Sequence, residues 1–510
     1  MNRLDNSVLH IARFTLEARS ALSIGIGGPD GVHDHPIVRD ANGLAMIPGT
    51  SLAGVLRHLW ADQGGATAAA ELFGHQRRNT GDASRLEVAA CRLQDRTGRP
   101  VEGLLCDADG ERQLRSDPLL QASRAGLDDP LFRDRVRLDH RGVSAKGGKF
   151  DRGLAAPGNR FSGELRLWST RKADPDWARL LRLLADPRLR LGGGTRAGLG
   201  AMTLVRLHSA SFDLTDAQDI AAFCALGTGL GDLDGLAAQD VAASSTSEAD
   251  AATLTIQLKP WDFWRFGQGS RALSGSARTA DLLPKLEPVV RWQDGRAVID
   301  TRAALAPGSS IKGALAHRTA FHWNALAGSF ADDLDAETVA GWDKSVHCDG
   351  VRAIFGHAKD RDDSGGARTG DGHAGLVLFE DAHIELPIAE VQAHLHTMIH
   401  NALDRFTGGV RKRMLFTEEL IYRKPIALRL TLLPGFEDAD ALARRAFARA
   451  LRDLCEGRLA LGGGVTKGHG AFTGVPSEAT RSWLDRQDPP ADAADAADAT
   501  ADLAAGEDAA

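Results

Sequence analysis

The sequence has little of what would place it in several familiar classes of protein. Its five cysteines are scattered and form no C-x-x-C pair, so neither a disulfide framework nor a clear zinc site is encoded. No apolar run has the length of a membrane span, and the first residues lack the pattern of a signal peptide. These absences predict a soluble, cytoplasmic protein with no membrane partner.

Aromatic residues are also scarce, and the net charge is negative. Aromatics make up 5% of the chain, with one tyrosine, which argues against an RRM-type platform that stacks bases. The formal net charge is −7, but residues 488–510 contain seven Asp or Glu and no Lys or Arg. The remainder is therefore close to neutral, so local basic patches are possible and a nucleic-acid partner is not excluded.

What the sequence does contain is a repeat. Residues 46–57 read Met-Ile-Pro-Gly-Thr-Ser-Leu-Ala-Gly-Val-Leu-Arg, and residues 305–316 read Leu-Ala-Pro-Gly-Ser-Ser-Ile-Lys-Gly-Ala-Leu-Ala. Glycine loops follow later in each half, Leu-Gly-Gly-Gly-Thr-Arg-Ala-Gly-Leu-Gly at 191–200 and Leu-Gly-Gly-Gly-Val-Thr-Lys-Gly-His-Gly at 461–470. A repeat this long indicates two tandem copies of one domain, which agrees with a length of 510 residues.

Each half has the predicted order β-α-β-β-α-β. Hydrophobic patterning predicts in the first half strands 9–17, 85–95, 161–169 and 201–207 with helices 50–63 and 173–185. In the second half it predicts strands 254–259, 375–385, 425–433 and 471–474 with helices 309–327 and 438–456. We therefore expect an α+β protein of two tandem ferredoxin-like or RRM-like domains with insertions. The expected boundaries are 1–208 and 251–480, with a linker at 209–250 and a disordered acidic Ala/Asp tail at 481–510.

The repeated motifs suit contact with a phosphate chain. The segments beginning at Pro48 and Pro307 predict helices that start at a hydroxyl cap, and a helix N-terminus attracts phosphate. Gly54 and Gly313, one turn further on, leave room for another backbone. The alternative is an ordinary capped helix packed on a sheet. Neither glycine loop matches a Walker or dinucleotide motif, so backbone contact with a phosphodiester chain is favoured over nucleotide binding.

Taken in order, these motifs resemble the RAMP superfamily. The resemblance rests on both helix-opening segments, on both glycine loops, on Leu72-Phe73-Gly74 and Ile354-Phe355-Gly356, and on segments 138–142 and 403–408. More narrowly, the chain resembles the backbone subunit of type III CRISPR effector complexes, in a tandem fusion like those of type III-D systems. The resemblance implies antiviral defence in a ribonucleoprotein complex. It also implies three kinds of partner, namely CRISPR guide RNA, target RNA and other CRISPR effector subunits.

The resemblance also implies which residues contact RNA. On the first helix the family has both a Lys and an Arg, whereas here Arg57 accompanies Ala53 and Lys312 accompanies Ala316. Segments 139–153 and 404–419 resemble a thumb-like hairpin, in which Phe150 and Phe416 are either wedges or core residues. The predicted RNA-binding residues are Thr50, Ser51, Gly54, Arg57, Lys146, Lys149, Gly193, Arg196, Gly198, Ser309, Ser310, Lys312, Gly313, Arg411, Lys412, Arg413, Gly463, Lys467 and Gly468.

A candidate catalytic loop spans residues 25–40. In the resembled subunit an Asp before a Pro-Val-Ile-like segment cleaves target RNA, and Asp34 in Asp-His-Pro-Ile-Val-Arg matches it. The resemblance implies that Asp34 holds a divalent cation (Mg²⁺ or Mn²⁺) or helps deprotonate a 2′-hydroxyl, with His33 and His35 assisting proton transfer. Asp30 is the second choice. The alternative is a solvated loop whose aspartate caps a turn.

The second copy predicts a weaker site. Aligning Leu286-Glu287-Pro288-Val289-Val290-Arg291 with the first loop puts Leu286 opposite Asp34, with Glu287 displaced by one residue and Asp281 further upstream. We therefore expect the second domain to bind RNA and to cleave it weakly or not at all.

Three other functions stay open. A purely structural filament subunit would bind RNA without cleaving it. A stand-alone guide-RNA-processing endonuclease of the same superfamily would cut precursor repeats without metal, through histidine. A nucleotide-binding metabolic enzyme is disfavoured, because no nucleotide fingerprint is present.

Overall fold

The computed structural model describes residues 6–31, 33–126, 131–138, 143–240, 253–267, 280–330, 349–357 and 372–489. The chain divides into two compact units. The first comprises Met1–Val136, Gly148–Ala249 and Glu287–Ala303, and the second comprises Arg137–Gly147, Asp250–Leu286 and Ala304–Ala510. Each unit has its own hydrophobic core. The predicted α+β class is confirmed.

The first half of the chain contains eleven described strands and five described α-helices. The strands are β1 (Val8–Ala18), β2 (Met46–Ile47), β3 (His75–Arg77), β4 (Thr80–Asp82), β5 (Leu86–Val88), β6 (Cys91–Leu93), β7 (Phe132–Leu138), β8 (Ser144–Gly153), β9 (Arg160–Ser169), β10 (Met202–Asp213) and β11 (Ala237–Ala238). The helices are α1 (Gly49–Phe73), α2 (Ala108–Ser116), α3 (Pro118–Ala125), α4 (Pro175–Leu183) and α5 (Ala217–Cys224).

The second half contains twelve described strands and five described α-helices. The strands are β12 (Thr253–Pro260), β13 (Phe263–Trp264), β14 (Leu286–Gln293), β15 (Arg296–Ala306), β16 (Gly356–His357), β17 (His373–Ala374), β18 (Val377–Phe379), β19 (Ala382–Ile384), β20 (Leu395–His400), β21 (Phe416–Tyr422), β22 (Ile426–Leu432) and β23 (Phe472–Pro476). The helices are α6 (Gly308–Ala327), α7 (Asp349–Phe355), α8 (Val391–His394), α9 (Ala441–Cys455) and α10 (Glu478–Gln487).

The two central sheets have the same antiparallel topology. In the first unit β10, β1 and β9 are neighbours in that order, and β5 and β6 both pair with β9. In the second unit the order is β23-β12-β22-β18. Counting only the four core strands of each repeat, both orders read 4-1-3-2, with α1 or α6 after the first strand and α4 or α9 after the third. This is the ferredoxin-like arrangement that the predicted element order required.

Short local signals explain where the second helix of each repeat begins. Asp174 accepts a hydrogen bond from the N–H of Asp176 at the start of α4, and Pro175 occupies the first turn, where its missing N–H has no cost. Asp440 accepts from the N–H of Ala443 at the start of α9. The buried side of α9 includes Phe447, which belongs to the second core. Capping residues and apolar spacing thus agree with the observed helices.

The segment predicted as a linker, 209–250, is structured through residue 240. It includes the end of β10, α5 and β11, and Phe223 packs with Leu9, Ile11 and Phe212. Residues 241–250 lie outside the described part of the chain. Segment 209–240 therefore covers apolar side chains of β1 in the first unit.

A hairpin from the second half of the sequence belongs to the first unit. The N–H of Val290 in β14 donates to Pro157 O at 2.9 Å, and the indole N–H of Trp292 donates to Gly158 O at 2.8 Å. The guanidinium of Arg160 lies 4.0 Å from the centre of the Trp292 ring. Gly158 has φ +82°, and a Cβ there would lie 1.8 Å from Val290 O, so only glycine permits this approach.

The beginning of the predicted tail is folded. Helix α10 ends at Gln487, and the next residue, Asp488, is buried and forms ion pairs with Arg445, Arg449 and Arg452 of α9. Residues 490–510 lie outside the described part. Asp488 therefore attaches α10 to α9 instead of contributing to a solvated acidic segment.

Candidate functional site

The acidic loop of the first unit is attached to the end of β8 by reciprocal hydrogen bonds. The N–H of Asp34 donates to Asp151 Oδ1 at 2.8 Å, and the N–H of Asp151 donates to Asp34 Oδ2 at 3.0 Å. The N–H of Gly153 also donates to His35 O at 2.8 Å. Asp34 is exposed, and its Oδ1 has no hydrogen-bond partner among the described residues. The loop therefore presents one carboxylate to solvent beside a second.

Both predicted histidines lie at this carboxylate pair. His33 Nδ1 is 3.1 Å from Asp151 Oδ2, so this contact holds the imidazole of His33 beside Asp151. His35 is exposed and contacts the edge of the Phe150 ring, with 5.9 Å between ring centres. Asp30 Oδ1 accepts from the N–H of His33 at 2.7 Å, so the second-choice aspartate closes the turn before Asp34.

The residue after Asp151 is a cation that the sequence analysis missed, and its guanidinium lies at the glycine loop. The Nε of Arg152, next to Asp151, is buried and has no hydrogen-bond partner among the described residues. A Cβ on Gly193 would lie 2.2 Å from Arg152 Nη1, so the glycine loop leaves room for this guanidinium. Burial lowers the pKa of Arg152. The sequence analysis predicted the lysines before Phe150 as the cations of this segment, but the Asp-Arg pair after Phe150 contains another.

The two glycine loops have the same backbone conformation. Positive φ values occur at Gly192 (+80°), Gly194 (+74°), Gly198 (+102°) and Gly200 (+78°), and at the matching Gly462 (+90°), Gly464 (+77°), Gly468 (+88°) and Gly470 (+76°). Each loop contains one short 3-10 turn, Thr195–Ala197 in the first unit and Val465–Lys467 in the second. The repeat seen in the sequence is thus a repeat of backbone geometry.

Part of each glycine loop serves the fold itself. The N–H of Gly193 donates to Ser23 O at 2.7 Å, and the N–H of Gly463 donates to Arg265 O at 2.8 Å. These two N–H groups are therefore already paired, contrary to the expectation that they supply donors to a phosphate. Of the two predicted cations, Arg196 is half-buried and its pKa is lowered by desolvation. Lys467 lies 4.9 Å from the centre of the Phe416 ring.

The predicted hydroxyl caps of the first helices are wrong. The N-cap residues are Pro48 and Pro307, and neither helix start has a side-chain cap bond from its own segment. In the second unit the N–H of Gly308 instead donates to Asp381 Oδ1 at 2.8 Å. The hydroxyl residues Thr50, Ser51, Ser309 and Ser310 occupy the first helical turns, with Thr50 and Ser310 exposed.

The contacts of the described residues do not explain Gly54 and Gly313. Both lie inside a helix, and neither has a positive φ. A Cβ added at either position would meet no described residue within 4 Å. Glycine inside a helix costs about 0.5–1 kcal/mol relative to alanine. Its presence in both copies therefore favours close approach of something outside the protein.

The cations of the first helices are partly used by the fold. Arg57 Nη1 donates to Gly74 O at 2.9 Å, and Lys312 Nζ donates to Phe355 O at 2.8 Å. Although they lie at different helix positions, both fasten the helix to the Leu-Phe-Gly or Ile-Phe-Gly segment. Their predicted contact with RNA must be made alongside these bonds.

The hairpin between β20 and β21 carries charge and apolar surface together. Arg411, Lys412 and Arg413 are exposed, as predicted for RNA contact. Phe406 is 101% exposed, at a turn where Asp404 Oδ1 accepts from the N–H of Phe406 and of Thr407 at 3.0 Å each. These bonds, with that of the Thr407 hydroxyl, lower the pKa of Asp404. The described aromatic best placed for a wedge is therefore Phe406.

The aromatic residues named from the sequence are less available. Phe416 is half-buried and stacks on His400 with ring centres 5.1 Å apart, and Phe150 is also half-buried. In the first hairpin Lys149 is exposed, whereas residues 139–142 and the side chain of Lys146 lie outside the described part.

The sequence alignment of the second acidic loop is wrong. Glu287 is fully buried, and its Oε1 and Oε2 accept from Arg133 Nε and Nη2 at 2.6 Å each. This ion pair lies inside the first unit, so Glu287 is a structural residue and Leu286 is not the counterpart of Asp34. The aspartate that does bond to the following hairpin strand is Asp281, whose Oδ2 accepts from the N–H of Thr417 at 2.8 Å.

Comparison with known proteins agrees with this double architecture. The family model of the RAMP superfamily matches residues 15–203 and again residues 306–473. No curated protein sequence matches the chain. The two matches to the family model nevertheless show that the chain belongs to the RAMP superfamily. Membership implies a CRISPR-associated RNA-binding subunit whose partners are CRISPR RNA and an effector complex.

The described part of the chain lacks two features. No helix in that part of the chain is long and apolar enough to cross a membrane. No group of three or more His, Cys, Asp or Glu is arranged there to hold a metal ion.

Proposed function

We propose that this protein is the guide-RNA-binding backbone subunit of a type III CRISPR interference complex and cleaves target RNA at Asp34. The observation that carries the proposal is the attachment of the Asp34 loop to β8. It leaves a carboxylate exposed beside Asp151 and two imidazoles. Carboxylate and imidazole are groups that transfer protons in phosphodiester cleavage.

The proposed reaction is an internal transesterification of RNA. The 2′-oxygen attacks the adjacent phosphorus, the P–O2′ bond forms and the P–O5′ bond breaks. Asp34 accepts the proton of the 2′-hydroxyl, and His35 gives a proton to the departing 5′-oxygen. The products are a 2′,3′-cyclic phosphate and a 5′-hydroxyl, with no oxidant or reductant involved. His33 orients Asp151 through its contact with Asp151 Oδ2.

The donor set fits a divalent cation such as Mg²⁺ or Mn²⁺. Asp34 and Asp151 offer hard carboxylate oxygens, and Mg²⁺ binds through one or two carboxylates together with water and substrate phosphates. When bound, the cation would neutralise charge that develops on the scissile phosphate.

The test is cleavage of an RNA complementary to the bound guide, in Mg²⁺ or Mn²⁺. Asp34→Ala and Asp34→Asn should each abolish one cut while the affinity for guide RNA changes less than about twofold. A single 2′-deoxy nucleotide at that cut should also block it, because the attacking oxygen is missing. Cleavage of every position by both Asp34 variants would refute the assignment. Cutting of precursor repeats by the isolated chain without metal would instead favour a processing endonuclease.

A further inference from the structure

The acidic loops of the two units match hydrogen bond by hydrogen bond, in a register different from the one the sequence suggested. In the first unit the N–H of Val38 donates to Ile24 O at 2.8 Å, and in the second the N–H of Lys285 donates to Phe266 O at 2.8 Å. Each acceptor directly follows the residue whose carbonyl accepts a hydrogen bond from the glycine loop, Ser23 in the first unit and Arg265 in the second. The residue four positions before Val38 is Asp34, and the residue four positions before Lys285 is Asp281.

The glycine loops give this register independent support. A Cβ on Gly192 would lie 2.2 Å from Ser23 O, and a Cβ on Gly462 would lie 2.4 Å from Arg265 O. Ser23 and Arg265 are therefore equivalent, and so are the next residues, Ile24 and Phe266. The same equivalence follows from the bonds of Gly193 and Gly463 to these two carbonyls.

The reciprocal bonding of the catalytic aspartate also occurs twice. Asp281 Oδ2 accepts from the N–H of Thr417 at 2.8 Å, and the N–H of Asp281 points back to Thr417 Oγ1 at 3.2 Å. In the first unit the same two bonds join Asp34 and Asp151. One residue later, Leu282 O accepts from the N–H of Glu419 at 2.9 Å, as His35 O does from Gly153.

The surroundings of the two aspartates correspond as well. The residue before Asp151 is Phe150, which contacts His35, and the residue before Thr417 is Phe416, which stacks on His400. Asp281 is exposed, as Asp34 is. The N–H and hydroxyl of Thr417 lower the pKa of Asp281. An ionised, exposed carboxylate is thus held at the same place in the second unit.

We propose that Asp281 is the catalytic residue of a second target-RNA cleavage site, so that one chain cuts at two positions. The inference rests on the proposed function of Asp34, since the chemistry is transferred from that site. It replaces the expectation that the second copy binds without cleaving, because that expectation depended on placing Leu286 opposite Asp34. The substrate is the same target RNA, bound along the second unit.

The two sites differ in the group that gives a proton to the departing 5′-oxygen. At the second site Asp281 accepts the 2′-hydroxyl proton, the P–O2′ bond forms and the P–O5′ bond breaks. The loop has Ala280 and Leu282 where the first has His33 and His35, so the departing 5′-oxygen takes its proton from water. General acid catalysis contributes roughly 10²–10⁴-fold, so we expect the second cut to be slower than the first.

The experiment maps every cut in one complementary RNA for the wild type, Asp34→Ala, Asp281→Ala and the double variant, each loaded with guide RNA. The expected result is two cuts in the wild type, a different one lost in each single variant and none left in the double variant. Asp281→Asn keeps an oxygen for the bonds from Thr417 and should also lose the second cut, which separates chemistry from folding. The matched control is Asp438→Ala, an exposed aspartate of the second unit, which should retain both cuts.

The outcomes separate the two proposals. If Asp34→Ala removes every cut and Asp281→Ala removes none, the proposed function holds and the second site does not exist. If the wild type makes no cut, the proposed function fails. Affinity for complementary RNA, measured by filter binding, should change less than about twofold in Asp281→Ala. A loss of affinity as large as the loss of cleavage would overturn the catalytic role and make Asp281 a binding residue.

Discussion

Replacing Gly54 with alanine should stabilise the protein and weaken RNA binding at the same time. The added methyl group meets nothing within 4 Å in the described part of the chain, and the position is helical. Relief of the glycine penalty should raise the free energy of unfolding by about 0.5–1 kcal/mol. For a unit of this size that corresponds to a rise in melting temperature of roughly 1–4 °C.

The loss of affinity follows from the close approach that the glycine permits. Forcing a methyl group into a packed contact costs about 1–3 kcal/mol, which corresponds to roughly five- to hundredfold weaker binding. The assay pairs thermal unfolding of the free protein with filter binding of guide RNA. Gly313→Ala provides the duplicate in the second unit, and leucine at either site should weaken binding further. Affinity that stays constant, or rises with stability, would refute the argument that RNA passes this helix face.

Three further predictions test other parts of the molecule. Phe406→Ala should leave the melting temperature unchanged, because the side chain is fully exposed. The same variant should weaken RNA binding several-fold in a filter-binding assay, and equal affinity would exclude a wedge role for Phe406. Glu287→Gln should lower the free energy of unfolding by about 3–5 kcal/mol in a denaturant titration, because it removes the carboxylate that balances the buried guanidinium of Arg133. A loss well below this range would show that the ion pair contributes little to the stability of the first unit. The lowered pKa of Asp281 keeps its carboxylate ionised at a pH where an ordinary aspartate, with a pKa of about 3.9, is half protonated. The second cut should therefore persist as the pH falls to about 4, and Thr417→Val should move its acid limb to higher pH. An acid limb that does not move in Thr417→Val would separate the pH dependence from Asp281.

Much of the fold could be predicted because its signals are local. The repeated glycines mark positions with positive φ, and the apolar spacing of α9 and the alternation of β9 match the elements observed. The helices α2 and α3 were missed because they lie in an insertion of the first half, outside the repeated pattern. The hydroxyl caps were predicted wrongly because Pro-Gly can begin a helix without a side-chain acceptor.

The candidate site was only partly predictable, since its partners are distant in sequence. Asp34 was identified from a local motif, but Asp151 reaches it only because β8 returns beside the loop. The second loop was misaligned because Glu287-Pro288-Val289 resembles the first loop in letters. The backbone bond of Lys285 to Phe266 and the bonds between Asp281 and Thr417 show that the counterpart of Asp34 is Asp281.

The hairpin of residues 287–303 has a consequence for how this double protein can be divided. A cut between the two sequence halves would separate Arg133 from Glu287 and Arg160 from Trp292, although all four belong to the first unit. The borders at which the gene can be recombined are therefore not those of the sequence repeat. Exchange of the first copy with that of a relative must bring residues 287–303 along, because they belong to the first unit.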